Sequence, residues 1–316
     1  MPFDNYNPDE DIPDLSGKTI FITGGTGGIA REAITQLAKH SPSQIFFTGR
    51  NTEAANSLLA LTSSSSTTVT FLKCDPHSLR DVQAAAQRFL QQAKSLDIFI
   101  ANLGIHSEQP LLTKDGYEIN FGLSHLSHAA YLKAFLPLML KTAEKPGSDV
   151  RYIAVTSQGT LLHPKQGIDF TSVKNANAFD WTPPLGGSWT RYGQSKLANV
   201  LFAKELARRH PSITSFAVHP GVVETDFVKN LSWKFRTITR MSQIGKGGTI
   251  QPADGACNPM WAATSPDVKR RLEQDEGVAW YEPVGLVAKG DAMCHNEKLA
   301  KELWDWSMKE LDGLNL

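Results

Sequence analysis

Cysteine is scarce in this chain, and so is any imbalance of charge. Three cysteines, Cys74, Cys257 and Cys294, stand far apart among 316 residues. They form neither a disulfide framework nor a CxxC pair, as expected of bystander thiols in a reducing compartment. Lys plus Arg and Asp plus Glu both number 32, which leaves no basic footprint for nucleic acid and no excess charge to hold an anionic membrane. The expected ligand is therefore small. The most apolar stretch, Leu123 to Leu140, is interrupted by His125, His128, Lys133 and Pro137, which reads as a packed helix rather than a membrane span. The N-terminal MPFDNYNPDEDIPDL is acidic, without a basic region or an apolar core, so it does not read as a secretory signal. It is expected to lie as an arm over a soluble, cytoplasmic protein. HExxH, paired HxH and GxSxG motifs are missing, and GGTGG is not followed by GK and Ser or Thr, which argues against zinc protease, hydrolase and P-loop chemistry. His125 and His128 share a helix face and read as structural rather than metal-ligating.

What is present is a rhythm. Hydrophobic residues make up 41% of the chain, enough for one large core. Short β-branched or aromatic runs alternate with segments of helical period, the pattern of a parallel sheet with helices on both faces. Strands are predicted over 18–23, 44–48, 68–73, 97–101, 151–156 and 213–218, with a seventh over 278–281. Helices are predicted over 28–39, 52–61, 79–94, 124–140, 189–209 and 252–263. The whole chain reads as one unit, with an arm at 1–16, a substrate lid at 226–250 and a C-terminal extension at 284–316. Within that extension, LWDWSMKELDGL is amphipathic and suits either the chain's own core or a partner.

Two stretches carry chemistry. In KTIFITGGTGGIAREAI a strand runs into a glycine-rich turn and then a helix. Gly24, Gly25, Gly27 and Gly28 let backbone approach a pyrophosphate at the helix N-terminus, and the TGxxxGxA register uses Thr23, Gly24, Gly28 and Ala30. The second strand ends in Gly49 and Arg50, where an acidic residue would instead accept hydrogen bonds from the 2′-hydroxyl of NAD(H). A guanidinium suits a 2′-phosphate, so NADP(H) is favoured, with Glu53 near enough to keep NAD(H) open. In YGQSK, Tyr192 and Lys196 fall one above the other on a helix face. A neighbouring ammonium favours the phenolate and is expected to bring the tyrosine toward a useful proton donor and acceptor.

With these pieces in order, the chain resembles the short-chain dehydrogenase/reductase family from about Leu15 to about Pro283. The matching stretches are TGGTGGIA at 23–30, Asp75 after the third strand, ANLG at 101–104, Asn120 in YEINFG, Ser157 ending IAVTS, YGQSK at 192–196 and HPGVVET at 219–225. The wording of YGQSKLANVLFAKELARRH looks most like the retinol-dehydrogenase-like branch and its fungal relatives. The resemblance implies an α/β fold, a doubly wound Rossmann-type parallel sheet of about seven strands. It implies that Tyr192 is the general acid/base, that Ser157 bonds the same substrate oxygen, and that Lys196 binds the nicotinamide ribose. Asn120 would hold a water that extends the proton relay. It also implies a cofactor held along Gly24, Thr26, Gly27, Gly28, Ile29, Arg50, Asn51, Asp75, Asn102, Gly104, Pro220, Val222 and Thr225, with hydride supplied by the cofactor itself.

Three departures stand out. Ala30 replaces the loop's third glycine, the usual Asn-Asn-Ala-Gly becomes Ala101, Asn102, Leu103 and Gly104, and no basic residue sits inside the glycine loop. Leu103 is expected to press on the cofactor ribose, and Arg31 stands at the helix start as a second cation. Substrate identity is expected in 158–188 and 226–248, where Phe170, Phe179, Trp181, Phe227, Trp233, Phe235 and Met241 suit a lipophilic or aromatic ketone, aldehyde or secondary alcohol. Two other readings keep the fold: a regulatory or scaffold protein that binds NADPH without turnover, and a non-redox biosynthetic enzyme. Family members commonly pair through their long helices into a homodimer or homotetramer, here around 124–140 and 189–209.

Overall fold

Alternation within the strands separates two kinds of core. In β1 (Thr19–Ile22), β2 (Gln44–Gly49) and β4 (Ile98–Ala101), Ile20, Ile22, Ile45, Phe47, Ile98 and Ile100 share one buried cluster, while Phe21, Phe46 and Phe99 between them join the other. Successive side chains point to opposite faces, so a run that is apolar at every position demands cover on both. The computed structural model describes residues 6–180, 186–225, 231–233, 236–237, 240 and 248–314, and shows that cover. The aliphatic face carries α1 (Gly28–Leu37), through Ala30, Ala33, Ile34 and Leu37, and α6 (Pro252–Thr264), through Ala256, Met260 and Trp261. The aromatic face carries α3 (Leu79–Leu90), α4 (Ser127–Ala143) and α5 (Gly187–Arg209).

β3 (Thr68–Lys73), β5 (Val150–Val155), β6 (Ile213–Val218) and β7 (Trp280–Glu282) extend the parallel sheet. The strand order is β3-β2-β1-β4-β5-β6-β7-β8, in which β8 (Leu286–Ala288) runs antiparallel to β7. The fold is the doubly wound Rossmann type, with eight strands rather than about seven. β8 lay inside the expected C-terminal extension. Its three residues between Gly285 and Gly290 are too few to display a strand period. Register places Phe46 beside Phe21, Phe21 beside Phe99 and Phe99 beside Tyr152, an aromatic row across four strands. Phe135 of α4 sits on this row, 4.7 Å from Phe21 and 5.6 Å from Phe99 between ring centroids.

Two helices complete the cover. α7 (Val268–Gln274), not expected from the sequence, follows α6, and α8 (Glu297–Gly313) buries Leu303, Trp304 and Leu311. Trp304 stacks on Phe202 of α5 at 4.6 Å, so the amphipathic tail covers its own chain. That cover falls on α5 and, through the Lys133–Asp312 ion pair, on α4, the two helices through which pairing was expected. Among the described residues no helix is long and apolar enough to cross a membrane. Replacing Phe135 by alanine is expected to lower unfolding free energy by roughly 3–5 kcal/mol, and by leucine far less, measured by denaturant titration.

Candidate active site

β1 lies between β2 and β4, and the chain crosses to opposite sides of it, so a crevice opens at the carboxyl ends of these strands. One hydroxyl ties its two walls together. Thr23 Oγ1, wholly buried, accepts hydrogen bonds from the backbone N–H of Asn102 at 3.0 Å and of Leu103 at 2.9 Å. Its own proton goes to His128 Nε2, 2.9 Å away. The direction follows from His128 Nδ1, which donates to the Ser124 carbonyl at 2.9 Å and leaves Nε2 as an acceptor. Burial, with the Lys196 charge adding to it, holds His128 down at about 3, so the ring stays neutral. His125 turns elsewhere, its Nε2 2.8 Å from Ser307 Oγ.

The glycine loop follows Thr23. Gly24 and Gly28 take φ of +75° and +54°, values that L side chains rarely adopt, and Gly27 starts α1 with no acidic residue in the helix's first turn. Free N–H groups and the helix dipole there suit an anion. Gly24, Thr26, Gly27, Gly28, Ile29, Arg50, Asn102, Leu103, Gly104, Pro220, Val222 and Thr225 all line one cavity of about 860 Å³. These residues fit a dinucleotide. Arg50 is exposed at the cavity wall and makes no ion pair among the described residues, whereas Arg31 turns to α2 (Thr52–Thr62) and bonds the Ala54 carbonyl at 3.1 Å.

Two of the expected contact residues carry hydrogen bonds within the chain. The Asn51 side chain caps α2 by accepting from Ala54 N at 3.0 Å. Asp75 accepts from Lys114 Nζ at 2.7 Å and lies 2.8 Å from His77 Nδ1. Burial opposes its ionisation, but those hydrogen bonds prevail and hold the carboxyl at about 2. Its neighbours Cys74 and Pro76 line the cavity instead.

At the other end, β5 delivers Ser157 and α5 delivers Tyr192 and Lys196 to the same cavity. Ser157 Oγ accepts from Gly159 N at 3.1 Å and opens a short 3-10 turn, Gln158–Leu162. A Cβ on Gly159 would meet Tyr192 Cε1 at 2.7 Å, so only glycine lets this turn close on the tyrosine. Lys196 Nζ donates to the Val155 carbonyl at 3.1 Å and lies 5.8 Å from the Tyr192 ring centroid. The expectation of a depressed tyrosine is reversed. Burial pushes Tyr192 up to about 12, against which only its hydrogen bond with Ser157 pulls. Burial pushes Lys196 the other way, down to about 8. The His219 ring, also on the wall, is held at about 4 by burial and the Lys196 charge, against a bond to the Thr156 carbonyl.

Asn120 stands off the cavity wall. Its Oδ1 accepts from Ser107 N at 2.9 Å and its Nδ2 donates to Glu118 Oε1 at 2.7 Å. A π turn, Gly122–Leu126, follows it before α4. Glu118 also receives Phe121 N and faces buried Arg191, the residue before Tyr192, at 3.5 Å. Burial raises the Glu118 carboxyl, against these partners.

The expected substrate wall is only partly described. Trp181, Phe227, Phe235 and Met241 lie outside the described residues, as does most of 226–250; Ile250 at its end pairs with Val223, which precedes the segment. Phe170 packs on Trp306, and Trp233 is 76% exposed. The cavity is lined by Gln158, Leu161 and Leu162, within the 158–188 segment expected to carry substrate identity, and by Trp189, Trp280 and Glu282, which lie outside both expected segments. Trp189 stands three residues before the tyrosine of YGQSK, a signal that could have marked it.

A family profile described as short chain dehydrogenase matches residues 18–178. An uncharacterized oxidoreductase of Schizosaccharomyces pombe is 30% identical over 310 residues, covering 96% of this chain and 88% of its own. The chain belongs to the short-chain dehydrogenase/reductase family. Mouse retinol dehydrogenase 12 is 29% identical over 285 residues, covering 82% of this chain and 84% of its own. These similarities place it with fungal oxidoreductases and the retinol-dehydrogenase-like branch. Among solved structures, an uncharacterized protein from Mycobacterium paratuberculosis shares the fold with a TM-score of 0.68 at 22% identity, covering 96% of each chain.

Family membership implies a nicotinamide dinucleotide cofactor, and the glycine loop that starts at Thr23 suits one, which makes Thr23 testable. Thr23→Val leaves two buried amides without an acceptor, and is expected to cost roughly 1–3 kcal/mol of stability. Cofactor affinity should fall with it, read by titrating reduced cofactor fluorescence.

Proposed function

We propose that this oxidoreductase is an NADP(H)-dependent carbonyl reductase and alcohol dehydrogenase, with the whole chain acting as one catalytic unit. The observation that carries the reading is the convergence of Ser157, Tyr192 and Lys196 on the cavity that also holds the glycine loop. Bound reduced nicotinamide supplies the hydride. Tyr192 supplies the proton to the substrate oxygen, and Ser157 donates to that oxygen as its charge develops. Lys196, one helical turn from Tyr192, orients the cofactor's ribose and contributes positive charge beneath the site. Asn120 serves the site by bracing the Ser107 backbone and the Glu118 carboxylate. Arg50 supports NADP(H) over NAD(H), since a fork of donors at the end of β2 suits a 2′-phosphate. Leu161, Leu162, Trp189 and Trp280 support a lipophilic or aromatic carbonyl substrate.

The deciding experiment follows absorbance of the reduced nicotinamide with a panel of aromatic and aliphatic carbonyls. Tyr192→Phe is expected to lower kcat by about 10²–10⁴ while cofactor still binds. Consumption of NADPH by the variant at the wild-type rate would remove the tyrosine from the mechanism. Arg50→Ala is expected to lower kcat/KM for NADPH by roughly tenfold or more and to leave that for NADH nearly unchanged.

The site also sets the pH dependence. With Tyr192 near 12 the phenol stays protonated through neutral pH, so reduction should be level there and fall above about 8 as Lys196 loses its charge. Alcohol oxidation needs the phenolate and should rise with pH over the neutral range. Paired pH profiles in the two directions check this, and reduction that climbs with pH would contradict the donor role.

A further inference from the structure

One polar pair interrupts the apolar end of the cavity. Gln158 Nε2 donates to Glu282 Oε1 at 2.8 Å, and both residues line the wall with Leu161, Leu162, Trp189 and Trp280. Glu282 is the one carboxylate among the cavity's described lining residues, and among the described residues no cation pairs with it. Its second oxygen accepts no hydrogen bond from any described residue. Backbone geometry fixes its place relative to the reacting atoms. Gln158 follows Ser157 directly, so its Cα lies within about 4 Å of the serine's, and Gly159 presses on the Tyr192 ring. Glu282 and Trp280, two apart on β7, share a sheet face, and Trp280 packs in the cluster that contains Leu197 of α5. The carboxylate therefore stands on the same side of the sheet as Tyr192.

Resting on the carbonyl reductase reading above, we propose that Glu282, held in place by Gln158, determines specificity. Its open oxygen accepts a hydrogen bond from a hydroxyl at the far end of an otherwise apolar substrate, and its charge turns away substrates that carry a carboxylate. The substrate class is thus a hydroxylated aromatic or aliphatic ketone or aldehyde. A site shaped to pair with a hydroxyl discriminates strongly, because a bound substrate without that donor covers the half-buried carboxylate and leaves its open oxygen unpaired.

Three probes of one shape test this: acetophenone, 4-acetylbenzyl alcohol and 4-acetylbenzoate. Binding is read from the fluorescence of the cavity tryptophans and turnover from NADPH consumption, for the wild type, Glu282→Gln and Gln158→Leu. Ratios between probes are taken within each protein, so any loss common to all three cancels. The wild type is expected to favour the alcohol over the benzoate by on the order of 100-fold. Glu282→Gln should bring that ratio to within about tenfold, as expected for removal of one charge-assisted contact. Gln158→Leu should weaken the alcohol preference a few-fold and still reject the benzoate. A ratio unchanged by Glu282→Gln, or no binding of any probe to the wild type, would overturn the assignment. Preferential binding without turnover would instead sink the reductase reading and leave the anchor standing.

Discussion

The Thr23 hydroxyl is the joint on which this site depends. It takes two backbone amides from the turn after β4 and gives its proton to a neutral imidazole from α4, so three elements meet at one oxygen. All its hydrogen-bonding capacity is used, which makes the junction costly to open in a buried setting. The glycine loop leaves from this point in one direction and the Asn102–Gly104 turn in the other, and the cavity between them inherits its width.

Burial then governs the chemistry. Tyr192 is pushed up to about 12, Lys196 down to about 8 and His219 down to about 4, each toward its neutral form. In such surroundings a charge that develops during reaction meets fixed donors rather than mobile water, and each donor counts for more. Among the described residues three charged side chains line the cavity: Arg50, exposed where the adenosine side would lie, Lys196 beside Tyr192, and Glu282 beside the Ser157 turn. Leu161, Leu162, Trp189 and Trp280 make the rest of the substrate wall largely apolar.

Much of this was legible before any coordinates. The alternation of Ile20, Phe21 and Ile22, repeated in the neighbouring strands, announces a sheet covered on both sides. The glycine turn, Ser157 and YGQSK mark residues that the fold brings to one cavity, because a turn, a strand end and a helical repeat each confine a side chain locally. What escaped was short or nonlocal. β8 has three residues, and α7 has seven. The partners of Asn51 and Asp75 also came only with the structure, Ala54 for the first and His77 and Lys114 for the second.

By itself, the sequence determined the sheet, the glycine turn and the tyrosine–lysine pair, because each is a pattern between residues close in the chain. Tertiary structure decided the rest: that Thr23 bonds residues 102 and 103, that Gln158 meets Glu282, and that α8 covers α5. It also decided the protonation of the site. A lysine one turn from a tyrosine suggests a lowered phenol, but the desolvation that dominates here comes from how closely the surrounding elements pack, which no local spacing encodes.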